Sequence, residues 1–211
     1  MSTTATNTTE NTELRLFAGT KFYLFALRMK ENIKEQNAHK QLYAALKDLD
    51  NDWYQPTDGE DRRIQFVQQG EMLICRSTVE PVGVQSIMIE QTVTVGETLD
   101  IRVRLPMMRR HRNEKGTRFI PIKKEDKTEF YTALLNRNGM EVKNLKWYGA
   151  LDNTVFFIKN KHTVAIPVDD IKATVTITDA KAFASSLLYG VGRCKTYGCG
   201  MISVIEGSTH E

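Results

Sequence analysis

The order in which strand-like and helix-like segments follow one another most constrains the fold of this chain. Stretches rich in β-branched and aromatic residues predict strands, and segments at 33–49, 124–138 and 179–188 have the spacing of helices. Asp179 is predicted to cap the last of these helices, and Gly139 to follow the end of the second. The first third is predicted as strand, helix, strand and strand, and the remainder again combines strands with single helices. This order favours an α+β protein of two tandem ferredoxin-like (RRM-like) domains over a doubly wound parallel sheet.

Composition shifts and turn-forming residues divide the chain. Residues 1–12 are polar and of low complexity, which predicts a disordered N-terminal tail. Pro81 and Gly83 predict a linker. We therefore assign 13–80 to an N-terminal ferredoxin-like domain and 84–206 to a C-terminal ferredoxin-like domain, which contains a basic hairpin and a glycine-rich loop.

The overall composition excludes several classes of protein. With 26% charged and 41% hydrophobic residues, the chain has the composition of a folded protein. No run approaches the ~18 consecutive apolar residues of a membrane span, and the N-terminus has no signal-peptide pattern. The three cysteines suit a reducing cytoplasm, and Cys194 and Cys199 lack the further ligands of a zinc site. We expect a cytoplasmic protein without membrane contact, metal or cofactor.

The net charge of +3 conceals one strongly basic segment. Between Ile101 and Lys124 there are nine basic residues and one acidic residue, a net charge of +8, while the remaining 20 basic and 25 acidic residues give −5. Such a strip on a mildly acidic protein indicates a local polyanion site. Arginine predominates in it, as suits contacts with phosphate oxygens. The candidate polyanion-binding residues of this segment are Arg102, Arg104, Arg109, Arg110, Arg112, Lys115 and Arg118.

A glycine-rich segment, 190–200, is the most distinctive stretch of the sequence. It follows a predicted helix and precedes a strand, which is the reverse of the order in a dinucleotide-binding fingerprint. Closely spaced glycines allow backbone N–H groups to approach an anion, although a surface turn has the same composition. The candidate anion-binding residues are Gly190, Gly192, Arg193, Lys195, Gly198 and Gly200.

His39 is the candidate general acid or base. It lies on the flank of the apolar stripe of the first predicted helix, with Lys40 beside it and Tyr43 and Gln36 about one turn away in either direction. A histidine with an ordinary pKa can accept or donate a proton at neutral pH, although a helix histidine is more often structural.

Together these residues resemble the CRISPR-associated repeat-processing endoribonucleases of the CasE type, found in the Cascade complex. Members end in a similar G-x-G-x-x-K-x-x-G-C-G loop followed by an apolar strand, as 190–204 does here. The central segment from Arg102 through the basic loop to 119–122 is also similar to that family. The likeness covers about 14–205 and is stronger in the second half.

The resemblance implies two ferredoxin-like domains that bind an RNA hairpin. It implies metal-independent cleavage at the base of the CRISPR-repeat stem by the RNA's own 2′-hydroxyl, with the mature crRNA stem-loop retained in a Cascade-like (type I-E or type IV) complex with its backbone and other subunits. His39 matches the family's catalytic histidine. Members commonly carry a tyrosine three residues earlier, where this chain has Gln36, so we name Tyr43 and Lys40 as its candidate partners.

Two other functions remain open at this point. The departure at Gln36 favours a hairpin-RNA-binding subunit of the same kind of complex that has lost catalytic activity. An unrelated ferredoxin-like protein could instead use the glycine-rich loop to bind a phosphorylated small ligand, and would then have no affinity for RNA.

Overall fold

The computed structural model describes residues 17–30, 38–49, 52–55, 64–113, 116–149, 154–159 and 162–205. The predicted tail, 1–12, lies outside the described residues. The α-helices are α1 (Ala38–Lys47), α2 (Lys127–Asn136) and α3 (Ala180–Tyr189). The strands are β1 (Phe17–Arg28), β2 (Gln65–Gln69), β3 (Met72–Ser77), β4 (Ser86–Thr94), β5 (Thr98–Pro106), β6 (Met108–Asn113), β7 (Gly116–Pro121), β8 (Met140–Tyr148), β9 (Thr154–Lys159), β10 (His162–Ile177) and β11 (Ser203–Val204). Short 3-10 helices lie at Asp52–Tyr54, Lys124–Asp126 and Lys195–Tyr197.

The first sheet has the strand order β2-β3-β1-β4, with each neighbouring pair antiparallel. Helix α1 presents Leu42 and Leu46 to a core that also contains Phe66 and Leu73 of the sheet. The segment 78–85 between β3 and β4 contains no helix. In the residues that the structure describes, this first unit is therefore a ferredoxin-like β-α-β-β-β arrangement with one α-helix.

The second sheet has the order β11-β5-β10-β8, and its chain order is that of a complete ferredoxin-like unit, β-α-β-β-α-β. Strand β9 pairs with the first half of β10 outside this path. The two helices α2 and α3 contribute Tyr131, Leu135, Phe183 and Leu187 to the core of the second sheet. The predicted α+β class with two ferredoxin-like units is thus confirmed.

The chain passes from the first sheet to the second at a later position than the predicted linker. Strand β4 pairs with β1 over nine residues, from Phe17 with Thr94 to Phe25 with Ser86, and so belongs to the first sheet. The chain passes to the second sheet at the turn 95–97, after β4, and not at 81–83. Sequence spacing alone does not reveal which strand completes an edge, because the choice depends on long-range pairing with β1.

Local signals placed several boundaries correctly. Asp179 caps α3 by accepting a hydrogen bond of 2.9 Å from the backbone N–H of Ala182. Gly139 follows α2 with a φ of +80°, the left-handed conformation that favours glycine. The sequence predicts separate strands at 163–167 and 171–177, whereas the structure has one strand, β10. Pro167 lies where the pairing of β10 with β9 ends and its pairing with other strands begins, and the Pro167 carbonyl accepts a hydrogen bond from Met107.

The basic segment forms a separate two-stranded hairpin of β6 and β7. Its base is fixed to the second unit: Met107 N–H donates to the Pro167 carbonyl at 2.8 Å, and Ile122 N–H donates to the Met107 carbonyl at 2.9 Å. Beneath this base, the fully buried Asp169 accepts from Tyr131 Oη at 2.6 Å and pairs with Lys127 Nζ at 2.9 Å. The hairpin therefore projects from a rigid point of the core.

Helix α3 also connects the two units. It contacts β1 and β4 of the first sheet as well as the core of the second unit. Two cross-strand neighbours of the first sheet bind its C-terminal end: Gln65 Nε2 donates to the Leu187 carbonyl at 2.9 Å, and Arg76 Nη1 donates to the same carbonyl at 2.8 Å. The glycine-rich loop begins immediately after this anchored end.

None of the helices that the structure describes is long and apolar enough to cross a membrane.

Candidate functional site

His39 lies near the start of α1, half-buried against the glycine-rich loop. Its ring is 4.8 Å from the ring of Tyr43 and 5.7 Å from that of Tyr197, centroid to centroid, with both contacts edge-to-face. Tyr43 in turn contacts Tyr54 at 6.1 Å. The first unit therefore supplies the histidine, and the loop of the second unit supplies an aromatic wall beside it.

The surroundings of His39 favour its neutral form. Partial burial lowers the pKa of His39, because a charged imidazolium loses hydration there, while a hydrogen bond to the backbone of Thr196 acts in the opposite direction. A histidine with a lowered pKa is deprotonated at neutral pH and can accept a proton.

The other two predicted catalytic residues share this surface. Lys40 and Tyr43 are exposed and, with His39, line a shallow depression on α1. Gln36, which replaces the family's tyrosine, lies outside the described residues. The structure thus groups the three predicted catalytic residues, although their roles remain a prediction.

The glycine-rich loop is a tightly folded segment. Gly190, Gly192, Gly198 and Gly200 all have positive φ values, from +71° to +85°. Val191 N–H donates to the Gly200 carbonyl, and Gly200 N–H donates to the Arg104 carbonyl, both at 2.8 Å. A Cβ at Gly200 would overlap the Val191 carbonyl oxygen, so the close approach of these two backbone segments requires glycine there.

The two cations of the loop differ in what they contact. Lys195 Nζ donates to the carbonyls of Tyr189 and Gly190, at 2.9 and 3.1 Å, and so closes the loop onto the end of α3. Arg193 is exposed, and its guanidinium lies 5.8 Å from the ring of Phe119 on the basic hairpin. Arg193 is therefore the loop cation presented toward the hairpin.

Arg104 and Arg102, both on β5, bind the same carboxylate. Arg104 forms a bidentate pair with Asp170, at 3.1 and 3.3 Å, and also donates to the Gln68 carbonyl of the first sheet at 3.5 Å. Arg102 lies 3.6 Å from Asp170 and is half exposed. These contacts hold Arg104 at the junction of the units, and Arg102 is the more accessible of the two.

Three arginines on β6 of the hairpin are exposed to solvent. Arg109, Arg110 and Arg112 of β6 are exposed, and Arg109 lies 3.9 Å from Asp126. Arg118 lies on β7, and its side chain is not described; Lys115 lies outside the described residues.

A groove runs between the hairpin base, α2 and the glycine-rich loop. Its volume is about 1180 Å³. Four arginines line it: Arg109, Arg110, Arg137 and Arg193. The groove therefore combines residues from both predicted binding segments, and Arg137 is a cation that sequence reasoning missed because it lies outside the basic strip.

Sequence reasoning also missed the contacts between the two halves of the site. Tyr197 and Thr196 reach His39 across the units, and Gln65 and Arg76 anchor the helix that carries the loop. An aromatic residue within a glycine-rich segment was an available signal for Tyr197, whereas nothing local distinguishes Gln65.

Within the described residues there is no group of three or more His, Cys, Asp or Glu side chains arranged to hold a metal ion.

The comparisons with known proteins agree with this architecture. The chain is 15% identical to Thermus thermophilus Cse3 bound to an RNA representing a pre-cleavage complex, with a TM-score of 0.63 over 88% of this chain and 99% of that one. It is 20% identical to Cas6e from Escherichia coli K-12, with a TM-score of 0.60 over 86% and 98% of the two chains. A chain of a CRISPR RNA-guided surveillance complex matches with a TM-score of 0.59 at 16% identity, over 86% of this chain and 98% of that one. No curated protein matches the chain.

These structural likenesses show a shared fold. A family model described as CRISPR associated protein matches residues 30–205, which include α1, the basic hairpin and the glycine-rich loop. The predicted resemblance is confirmed at this level: the chain belongs to the CRISPR-associated protein family.

Proposed function

We propose that this chain is an endoribonuclease that cleaves CRISPR repeat RNA at the base of its stem-loop. The observation that carries the proposal is the contact of His39 with Tyr197 of the glycine-rich loop, because Arg193 of the same loop lines the arginine-lined groove. One loop then connects a proton acceptor with an array of cations. Among solved structures of this fold are an endoribonuclease bound to RNA and a chain of an RNA-guided surveillance complex.

The reaction uses the RNA's own 2′-hydroxyl as nucleophile. His39 accepts the 2′-OH proton, the oxygen attacks the adjacent phosphorus, and the P–O5′ bond breaks. The products are a 2′,3′-cyclic phosphate and a 5′-hydroxyl, whose proton comes from a nearby acid, for which Tyr43 and Lys40 are the candidates. Because the nucleophile belongs to the strand being cut, this chemistry needs no metal ion.

The arginine-lined groove and the basic hairpin support binding of the stem. The deep, narrow major groove of an RNA helix limits direct reading of base sequence, so phosphate contacts and shape dominate recognition. Retention of the stem after cleavage would leave the chain as a subunit of a Cascade-like complex, of type I-E or type IV, on the 3′ hairpin of the mature guide RNA.

A second candidate is a hairpin-binding subunit without catalytic activity. It is favoured by Gln36, since glutamine cannot exchange a proton in place of the family's tyrosine. This candidate shares the groove and the fold and differs in the chemistry at His39.

One experiment distinguishes these candidates. A repeat RNA from the genome that encodes the chain is incubated with wild type and with His39→Ala, in EDTA, and both cleavage and binding are measured. The proposal predicts cleavage by wild type in EDTA, and a rate at least ~100-fold lower for His39→Ala with binding retained. Tight binding without cleavage by wild type would support the second candidate, and strict metal dependence would contradict the mechanism.

A further inference from the structure

A second groove lies on the other side of Arg193 from the arginine-lined groove. It has a volume of about 570 Å³ and opens between the basic hairpin, the first half of β10 and the glycine-rich loop. Its volume falls within the usual range of small-ligand sites. Its lining includes Met108, Phe119, Val164, Ile166, Thr196 and Tyr197.

The lining is mainly apolar and includes two aromatic side chains. Val164, Ile166 and Met108 form part of one apolar cluster with Tyr197. Phe119 remains 54% exposed at the edge of the groove. A large aromatic ring that stays exposed above an apolar floor is a surface on which a flat, unsaturated group can stack.

Two cations lie near Phe119. Arg193 lies 5.8 Å from the ring centroid. Arg110 is the cross-strand partner of Phe119, so the side chains of Arg110 and Phe119 lie on one face of the hairpin. An aromatic ring flanked by guanidinium groups is the combination with which proteins hold single-stranded nucleic acid, where the ring stacks on a base and the cations meet the backbone.

The groove adjoins the His39 site. Thr196 and Tyr197 line the groove, and the same two residues contact His39. We therefore expect a nucleotide that flanks a phosphate beside His39 to lie near this groove.

From these observations we propose that the groove is a subsite for one unstacked nucleobase of the RNA, next to the phosphate that is cleaved, with Phe119 as its stacking surface. This inference rests on the proposed function. Occupation of the groove holds the flanking nucleotide out of the helical stack and so helps to set the position of the 2′-hydroxyl and the phosphate for in-line attack. An apolar floor suits a base better than a phosphate, which would require polar partners.

The test uses repeat-hairpin RNAs with an abasic site at one of the nucleotides on either side of the cleaved phosphate. Single-turnover cleavage and the Kd are measured for wild type, Phe119→Ala and Phe119→Tyr. Phe17→Ala is the matched control, because Phe17 is similarly exposed, at 51%, and lies on the first sheet. For RNA that binds without being cut, the Kd is the readout.

We expect Phe119→Ala to lower the single-turnover rate or raise the Kd about tenfold, as the loss of one stacked base does. Phe119→Tyr should behave like wild type, because its ring can still stack on the base. An abasic site at one position should lower the cleavage rate or affinity of wild type about tenfold. The same RNA should lower neither quantity further in Phe119→Ala, because both changes remove the same contact. A 2-aminopurine at that position should lose fluorescence when wild type binds and keep it with Phe119→Ala.

Two results overturn the subsite alone while the proposed function stands. In the first, wild type cleaves or binds every abasic RNA as well as the intact RNA. In the second, an abasic site lowers the rate or affinity of Phe119→Ala by a further tenfold. Failure of wild type to bind the hairpin would overturn the proposed function, and the subsite with it.

Discussion

The two ferredoxin-like units share a strand order but differ in how they bury a cation. In the second unit, Lys127 is buried against the carboxylate of Asp169, which also accepts from Tyr131. In the first unit, Arg76 is buried with its guanidinium 4.4 Å from the ring of Phe22 and donates to the Leu187 carbonyl at the end of α3. A carboxylate stabilises one cation, and a helix C-terminus stabilises the other.

This difference has a consequence for the site. The Lys127–Asp169 pair lies within one unit and fixes the base of the basic hairpin. The Arg76 contact joins the units and fixes the helix end from which the glycine-rich loop begins. Under the proposed function, the second unit holds the RNA-binding surface, and we expect the contact of the first unit with α3 to align His39 with the glycine-rich loop.

Removal of the carboxylate should have the largest effect on stability. Asp169→Asn leaves the Lys127 ammonium buried without a counter-charge, so we expect the free energy of unfolding to fall by about 3–5 kcal/mol. Burial, with added contributions from the hydrogen bond and charge of Asp169, raises the pKa of Tyr131, which therefore remains a hydrogen-bond donor. Denaturant unfolding measures the change, and Glu141→Gln in the exposed pair with Lys143 is the control, expected to lose less than about 1 kcal/mol. Equal losses would contradict the role of the buried pair.

The corresponding change in the first unit should lower the free energy of unfolding by a smaller amount. Arg76→Met removes a charged donor from the Leu187 carbonyl, and we expect a loss of about 2–3 kcal/mol by denaturant unfolding. Burial lowers the pKa of Arg76 to about 10, so the guanidinium stays charged at neutral pH. Arg28→Met, which breaks an exposed pair with Glu71 at 3.5 Å, should change stability by less than about 1 kcal/mol. If Arg76→Met lost no more stability than Arg28→Met, the contact of Arg76 with the end of α3 would not contribute to stability.

The glycine-rich loop tests whether the alignment matters for cleavage. Gly200→Ala adds a Cβ that overlaps the Val191 carbonyl at a φ of +82°, and the strain of about 1–3 kcal/mol should reduce single-turnover cleavage about 10- to 100-fold. Gly96→Ala is the matched control, since its φ is +88° and a Cβ there meets nothing within 4 Å. Gly96→Ala should lose some stability but keep its cleavage rate. A similar loss of cleavage in both variants would indicate general destabilisation.

The smallest expected effect is a shift in pH dependence. Because burial lowers the pKa of His39, the neutral base persists to lower pH than in a free histidine. The single-turnover rate at saturating protein should rise with pH and reach half of its plateau value below about 6.5, the ordinary histidine pKa. An inflection above that value would contradict His39 as a base held in its neutral form.

Local sequence signals predicted much of the fold. The cap at Asp179 and the left-handed Gly139 follow from side-chain and backbone preferences of single residues, and both were correct. The place of β4 was missed because edge pairing depends on a strand about 70 positions earlier in the chain. The sequence predicted a break near Pro167, whereas β10 continues through it. Proline interrupts a strand only where its missing N–H would have to donate to a neighbouring strand.

The site divides in the same way. The glycine-rich loop and the basic segment were found from composition, and His39 from helix position and family resemblance. The direction of Lys195 toward the Tyr189 carbonyl, and the pairing of Lys127 with a residue 42 positions away, depend on tertiary packing that no local pattern carries.

The most direct measurement compares binding and cleavage of one hairpin RNA by two variants, one from each unit. His39→Ala should lower the single-turnover rate at least ~100-fold and leave the Kd within about twofold. Combined Arg109→Ala and Arg110→Ala should raise the Kd at least about tenfold and reduce the salt dependence of binding by roughly two phosphate contacts, with the rate at saturation changed only a few-fold. If each variant instead altered the rate and the Kd together to a similar extent, the separation of chemistry in the first unit from binding in the second would be contradicted.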